Sequence, residues 1–284
     1  MAVKLVVESS SDIEEKEALE LGVTMLPIPI TFGAEEFYDG LDITKAEFYD
    51  KLAASEELPK TSQITAFRFE EVFEKHVKNG DEVVVIVLSS KLSATYNSAV
   101  QASEQFKDKV FVVDSLSATA GIRILIDYAI KLIAENKSAK EVYEILEEKK
   151  SKVQIRAMID TLKYLKKGGR ISPLLAFAGE MMGIKPMIAV IDGKVEVVGK
   201  SLGLKKAINL INKDIERLGG MDLDMPFYVI YSGTGEYEDR ADKYIELNAS
   251  VWGCDPSTIK KNCIGSTIGT HIGHGAIGVV FFSK

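Results

Sequence analysis

Glu82-Val83-Val84-Val85-Ile86-Val87-Leu88-Ser89-Ser90 sets the frame for the whole chain. Its near-continuous, mostly β-branched apolar run is what a strand buried on both faces of a parallel sheet requires. A Ser-rich turn and a helical pattern over 96–106 follow it. The same strand, loop and helix order stands on either side. Upstream, a β-branched run at 3–7 meets Ser9-Ser10-Ser11-Asp12, which can cap a helix over 13–21. Downstream, a strand at 110–113 and a turn at 114–117 lead into a helix over 121–135. Three such units predict a parallel sheet with helices on both faces.

Further out, residues 139–152 are Lys- and Glu-rich at helical spacing and predict an exposed helix leading to a second unit, with a boundary near residue 155. Beyond it, runs at 187–191 and 194–198 flank Asp192-Gly193, a strong hairpin signal. A helix over 205–218, a strand at 227–231, a helix over 238–250 and a terminal strand at 277–282 follow. The expected fold class is α/β: an N-terminal parallel-sheet α/β domain over 1–155, carrying ligand-binding loops, and a C-terminal α+β domain over 156–284. The last strand could return to the N-terminal sheet.

At 284 residues, with 46% hydrophobic and 27% charged residues, the composition is that of a folded protein with a sizeable core. No apolar run is long enough to span a bilayer, and residues 1–10 read as a first strand rather than a cleavable leader. A cytoplasmic protein without stable membrane insertion is therefore expected. A net charge of −7 argues against a nucleic-acid partner, which needs concentrated Lys and Arg to displace counterions. Cys254 and Cys263 lack the number for a disulfide scaffold and the spacing of a zinc site, so reduced thiols are expected.

Several motifs suggest chemistry. Gly199-Lys200-Ser201-Leu202-Gly203 fits G-x-S-x-G between a predicted strand and helix, so a serine esterase or thioesterase using Ser201 and His271 is the alternative function. Against it, no earlier oxyanion segment is present, and the preceding strand reads as the second arm of a hairpin. Gly273-His274-Gly275-Ala276-Ile277-Gly278 fits G-x-G-x-x-G but leads into a strand and leaves no room for a ribose-binding acid, so no dinucleotide cofactor is expected. His271 and His274 lack a third local ligand, so no metal is expected either.

More informative is where hydroxyls gather. Ser9–Ser11, Thr61-Ser62, Ser89-Ser90 with Ser93 and Thr95, and Ser115 with Ser117 cluster at the carboxyl ends of predicted strands, where open parallel sheets bind ligands. Each alone reads as a cap or turn residue; together they suit an anionic oxygen. Arg170, in Lys166-Lys167-Gly168-Gly169-Arg170-Ile171-Ser172, can grip a carboxylate with its guanidinium fork or simply end a solvated helix. Residues 174–191, with Met181, Met182 and Met187, read as core, or as a deformable wall for an alkyl chain.

Taken together, the chain resembles the DegV family of bacterial fatty-acid-binding proteins from first strand to last. The likeness is carried by Glu8-Ser9-Ser10-Ser11-Asp12, Pro59-Lys60-Thr61-Ser62-Gln63, Leu88-Ser89-Ser90-Lys91-Leu92-Ser93-Ala94-Thr95-Tyr96 and Val113-Asp114-Ser115. It continues through the segment from Leu162 to Ser172, Ile184-Lys185-Pro186, and Gly269-Thr270-His271-Ile272-Gly273-His274-Gly275. The resemblance implies a two-domain fold with a buried long-chain fatty acid as ligand and no cofactor. It implies a carboxylate site at Thr61, Ser62, Ser93, Arg170, Thr270 and His271. It also implies a non-catalytic carrier that hands its acid to a fatty acid kinase subunit for acyl-phosphate formation in phospholipid synthesis. Ile64, Lys91, Ala94 and His274 depart from the family's usual Pro and Gly, and Leu202-Gly203-Leu204 stands where relatives are Arg-rich and dock the kinase.

Overall fold

The structure, a computed structural model, describes residues 2–172 and 184–284. Met181, Met182 and the rest of the stretch before Ile184 lie outside the described residues. In chain order the strands are β1 (Val3–Glu8), β2 (Thr24–Leu26), β3 (Pro29–Phe32), β4 (Glu35–Tyr38), β5 (Lys60–Thr61), β6 (Glu82–Val87), β7 (Val110–Asp114), β8 (Val153–Met158), β9 (Ile184–Ile191), β10 (Lys194–Leu202), β11 (Tyr228–Tyr231), β12 (Lys260–Cys263) and β13 (Ile277–Phe282). The helices are α1 (Glu15–Leu21), α2 (Lys45–Ala54), α3 (Ala66–Lys78), α4 (Thr95–Ser103), α5 (Ala120–Ala134), α6 (Ala139–Lys149), α7 (Lys163–Lys167), α8 (Leu204–Arg217), α9 (Glu236–Trp252) and α10 (Ser266–Ile272).

β6 does what its composition demands. It pairs in parallel with β1 on one side and β7 on the other, and the sheet order is β2-β1-β6-β7. Val83, Val85 and Val87 pack with Phe69 and Phe73 of α3, while Val84, Ile86 and Leu88 face α5. Burial on both faces is the reason the strand carries no alternation.

The second sheet, β10-β9-β8-β13-β11-β12, is antiparallel except for β11 with β12. Its outer face packs α8 and α9 through Ile211, Ile215, Tyr244 and Ala249. Its inner face, including Ile155, Ala157, Ile188, Ile230 and Val280, joins α5 and the first sheet in one continuous core. A smaller sheet, β4-β3-β5, packs on α2 through Ile30, Phe32 and Phe48.

Three expectations change. The terminal strand does not return to the N-terminal sheet; β13 sits in the middle of the second sheet, between β8 and β11. Residue 155 falls inside β8, whose whole length pairs within that sheet, so the division between the sheets comes before Val153. Ser9–Ser11 form a 3-10 turn rather than the cap of a helix, and α1 begins only at Glu15. The Asp192-Gly193 hairpin forms as read, with both turn residues at positive φ.

Candidate functional site: an apolar cavity with a polar mouth

Between the two sheets lies a cavity of about 770 Å³, counting the space open at its mouth. Its walls are aliphatic: Leu88 from the end of β6, Ile155, Ala157, Ile188, Val190 and Val195 from the second sheet, and Ile264, Ile268 and Ile272 from in and around α10. Thr61, Ser62, Ser93, Arg170 and His271 also line it, and they supply its main polar groups.

Each of these is placed by local chemistry. Thr61 ends β5, which pairs with β3, and the amide of Ser62, the next residue, donates to the Pro29 carbonyl. Ser93 sits in the loop between β6 and α4. Asp114 Oδ1 accepts from the Ser90 amide at 3.1 Å, and the Ser89 carbonyl accepts from the Leu92 and Ser93 amides. Ser93 Oγ lies 3.0 Å from Thr95 Oγ1. Arg170 Nε donates to the Leu92 carbonyl at 3.1 Å and Nη1 to the Gly168 carbonyl at 2.6 Å, so the guanidinium is pinned beside the Ser93 loop. Among the described residues it has no carboxylate partner. Burial lowers its pKa below the usual value.

His271 joins the group from α10. Its Nε2 is 2.9 Å from Thr61 Oγ1, and its buried Nδ1 has no hydrogen-bond partner. Burial, and then the Arg170 charge, push its pKa down to about 4. The ring is therefore neutral at pH 7, and Arg170 is the cation among the described residues that line the cavity. The two glycines before Arg170 have separate causes. A Cβ at Gly168 would overlap His271 Nδ1, and Gly169 turns the chain at φ +69°. Behind the wall, three carboxylates are fully buried: Glu8, Asp12 and Asp39. Burial lifts Glu8 to about 7 and Asp12 to about 6.

Of the six residues expected at the site, five meet at the mouth. Thr270 is the exception: it is buried, does not line the cavity, and donates its hydroxyl to the Ser266 carbonyl one turn back. Many of the other clustered hydroxyls serve the backbone. Ser9 Oγ accepts from the Ile28 amide, Ser11 Oγ donates to the Glu8 carbonyl, and Ser115 Oγ closes its own turn on the Ser117 carbonyl. Thr119 and Thr267, unforeseen from sequence, line the cavity. An acid closing an apolar strand, as Glu8 does, was the available signal for the buried polar layer behind them.

The esterase arrangement does not assemble. Ser201 lies on β10, at the edge of the second sheet, and lines a separate surface groove with Lys200, Leu202 and Lys206. Its hydroxyl donates to the Gly203 carbonyl, whereas His271 faces Thr61. The Gly273–Gly278 run is a packing device: a Cβ at Gly273 would overlap the Tyr164 ring and one at Gly275 the Asp160 carboxylate. His274 packs against the rings of Tyr49 and Tyr237, tilted with respect to each. Among the described residues no group of three His, Cys, Asp or Glu side chains could hold a metal ion, and no helix is long and apolar enough to cross a membrane. Cys254 and Cys263 are both free thiols.

Fold and site define a two-sheet α/β protein that encloses an apolar cavity beneath a mouth of hydrogen-bond donors. The chain belongs to the DegV family, whose model, described as that of uncharacterised DegV-family proteins, matches residues 2–284. A DegV domain-containing protein of Clostridium perfringens is 31% identical over 282 residues, covering 96% of this chain and 95% of the relative. One from Staphylococcus aureus is 32% identical over 281 residues, covering 99% and 98%. Among solved structures, a fatty-acid-binding DegV family protein from Thermus thermophilus superposes with a TM-score of 0.87 at 30% identity, covering 100% of both chains. A stearic-acid-binding protein from Eubacterium ventriosum gives 0.86 at 25%, covering 100% of this chain and 99% of its own.

Proposed function

We propose that this protein binds a long-chain fatty acid, with the acyl chain in the cavity and the carboxylate at Thr61, Ser62, Ser93, Arg170 and His271. The observation that carries this reading is the pairing of an aliphatic enclosure with one cation and several hydroxyls at a single end. Burying about fourteen methylenes at ~0.8 kcal/mol each gives on the order of ten kcal/mol of gross driving force, of which ordering the ligand removes a part. An unpaired carboxylate at the mouth would cancel much of the rest. Arg170, unpaired by any described acid, supplies the missing charge, and the neutral His271 supplies a hydrogen-bonding ring without repelling the guanidinium.

The same reading makes the protein a cytoplasmic, non-catalytic carrier that presents its acid to a separate fatty acid kinase. Ser62 is exposed, so the head group would sit at the surface where another protein can reach it. Where relatives carry Arg this chain has Leu202-Gly203-Leu204, and Leu202 is 60% exposed. The test is direct: purified protein, denatured and extracted, should yield a long-chain fatty acid by mass spectrometry at near-equimolar amount. Repeated preparations free of lipid, together with no uptake of added palmitate, would sink the proposal.

A further inference from the structure

The cavity has two facing walls that come from distant parts of the chain. One ends in Ala118 and Thr119, at the start of α5; the other runs from Ile264 through α10 to Ile272. Both walls reach Asp12. Asp12 is buried and does not line the cavity. Its Oδ2 accepts from Thr119 Oγ1 and from Asn262 Nδ2 at 2.6 Å, and its Oδ1 accepts from the Gly265 amide at 2.8 Å. Lys45 Nζ donates to its backbone carbonyl at 2.8 Å.

The conformation of the first wall needs that support. Thr119 is β-branched and sits at φ 49°, ψ −138°, and Leu116 nearby is also at positive φ. A β-branched residue in that region persists only where its surroundings over-determine it, because its Cβ substituents crowd the backbone. The hydroxyl held by Asp12 is the evident restraint. On the opposite wall, the first amide of the α10 turn is held by the same carboxylate, and the next two, Ser266 and Thr267, by Asp39.

We infer that Asp12 is a positioning residue for the acyl ligand: it never touches the chain, but it ties the Thr119 corner to the start of α10 and thereby keeps the cavity closed around its contents. This rests on the fatty-acid reading above. Its consequence is kinetic. Loosening the tie should let the two walls part, so the ligand leaves faster while the mouth that captures it is unaltered.

The experiment uses the full chain loaded with radiolabelled palmitate and chased with unlabelled palmitate. Thr119→Val, which removes the hydroxyl and keeps the branching, should raise the off-rate severalfold and leave the on-rate within about twofold. Thr119→Ser, which restores the hydroxyl, should return the off-rate to the parent value. Asp12→Asn should raise it about tenfold, as expected for loss of charge-assisted bonds. Off-rates within twofold of the parent in both Thr119→Val and Asp12→Asn would overturn the inference. If Asp12→Asn fails to fold, the Val and Ser pair at Thr119 decides alone. Should the parent bind no palmitate, the function has failed and not the tie, which amide exchange on the ligand-free protein then tests. Residues 117–120 and 264–268 should lose protection together in Thr119→Val; unchanged protection in either segment would overturn it.

Discussion

Arg170 and Glu8 show how burial assigns opposite tasks to ionisable groups. Arg170 is half-buried with its donors only partly used, so it gains from a ligand carboxylate. Arg170→Ala should weaken palmitate binding by about ten- to a hundredfold, the worth of a charge-assisted bond, with the melting temperature of the empty protein little changed; isothermal titration and a thermal scan separate the two effects. Glu8 is fully buried and fully used, accepting from the Ser10 amide and hydroxyl and from the Leu88 amide. Burial still outweighs those bonds and lifts its pKa to about 7. The folded state therefore holds the proton more tightly than the unfolded chain, so Glu8 favours folding most at low pH, and that contribution is lost as pH rises through about 7. Glu8→Gln, which cannot ionise, should gain on the parent by about 2 kcal/mol between pH 5 and pH 8. Urea unfolding at the two pH values measures the difference, and a gap that stays constant would refute the assignment.

At the scale of elements, α10 concentrates what sequence reading could and could not reach. Its His271 was legible through resemblance, but the helix was not, because Ser266–Ile272 is short, contains Gly269 and ends at Gly273. Its glycines answer to neighbours distant in sequence: Gly269 leaves room for Phe48. The strands β6 and β7 and the β9–β10 hairpin were legible because local composition fixes them. β8 was not, since Val153–Met158 carries Gln154 and Arg156 within its apolar run, and Arg156 is accommodated by its ion pair with Asp214 of α8 and a hydrogen bond to the Ile155 carbonyl. The mouth was half legible: Thr61, Ser62, Ser93 and Arg170 stand in quotable motifs, while Thr119 and Thr267 reach the cavity through contacts that no local pattern encodes. The approach of α10 to the turn after α7 can be tested through Gly168. A methyl there would press on His271 Nδ1, so Gly168→Ala should turn the ring off Thr61 and weaken palmitate binding about tenfold, with the loss of one hydrogen bond as the guide. An unchanged affinity would show that His271 contributes nothing to head-group capture.

For the molecule as a whole, the cavity sits in the layer where the two sheets would otherwise meet, so an acyl chain would take the place of core. Ile155, Ala157, Ile188 and Val190 from one sheet and Leu88 from the other would each gain contact with it. Stability and occupancy must then be linked: a ligand that binds only the folded state adds RT ln(1 + [L]/Kd), about 2.7 kcal/mol at a hundredfold excess over Kd. Delipidated protein should therefore melt below the loaded form, and added palmitate should raise the melting temperature in proportion to the logarithm of its concentration. Chain length gives the sharper form of the prediction. Each methylene that leaves water contributes roughly 0.8 kcal/mol, so decanoate, six methylenes shorter, should stabilise far less than palmitate at equal concentration, although both carry the same carboxylate. If the two acids shifted the melting temperature equally, binding would be governed by the head group alone, and the aliphatic layer between the sheets would be a packing defect rather than the place where the ligand lies.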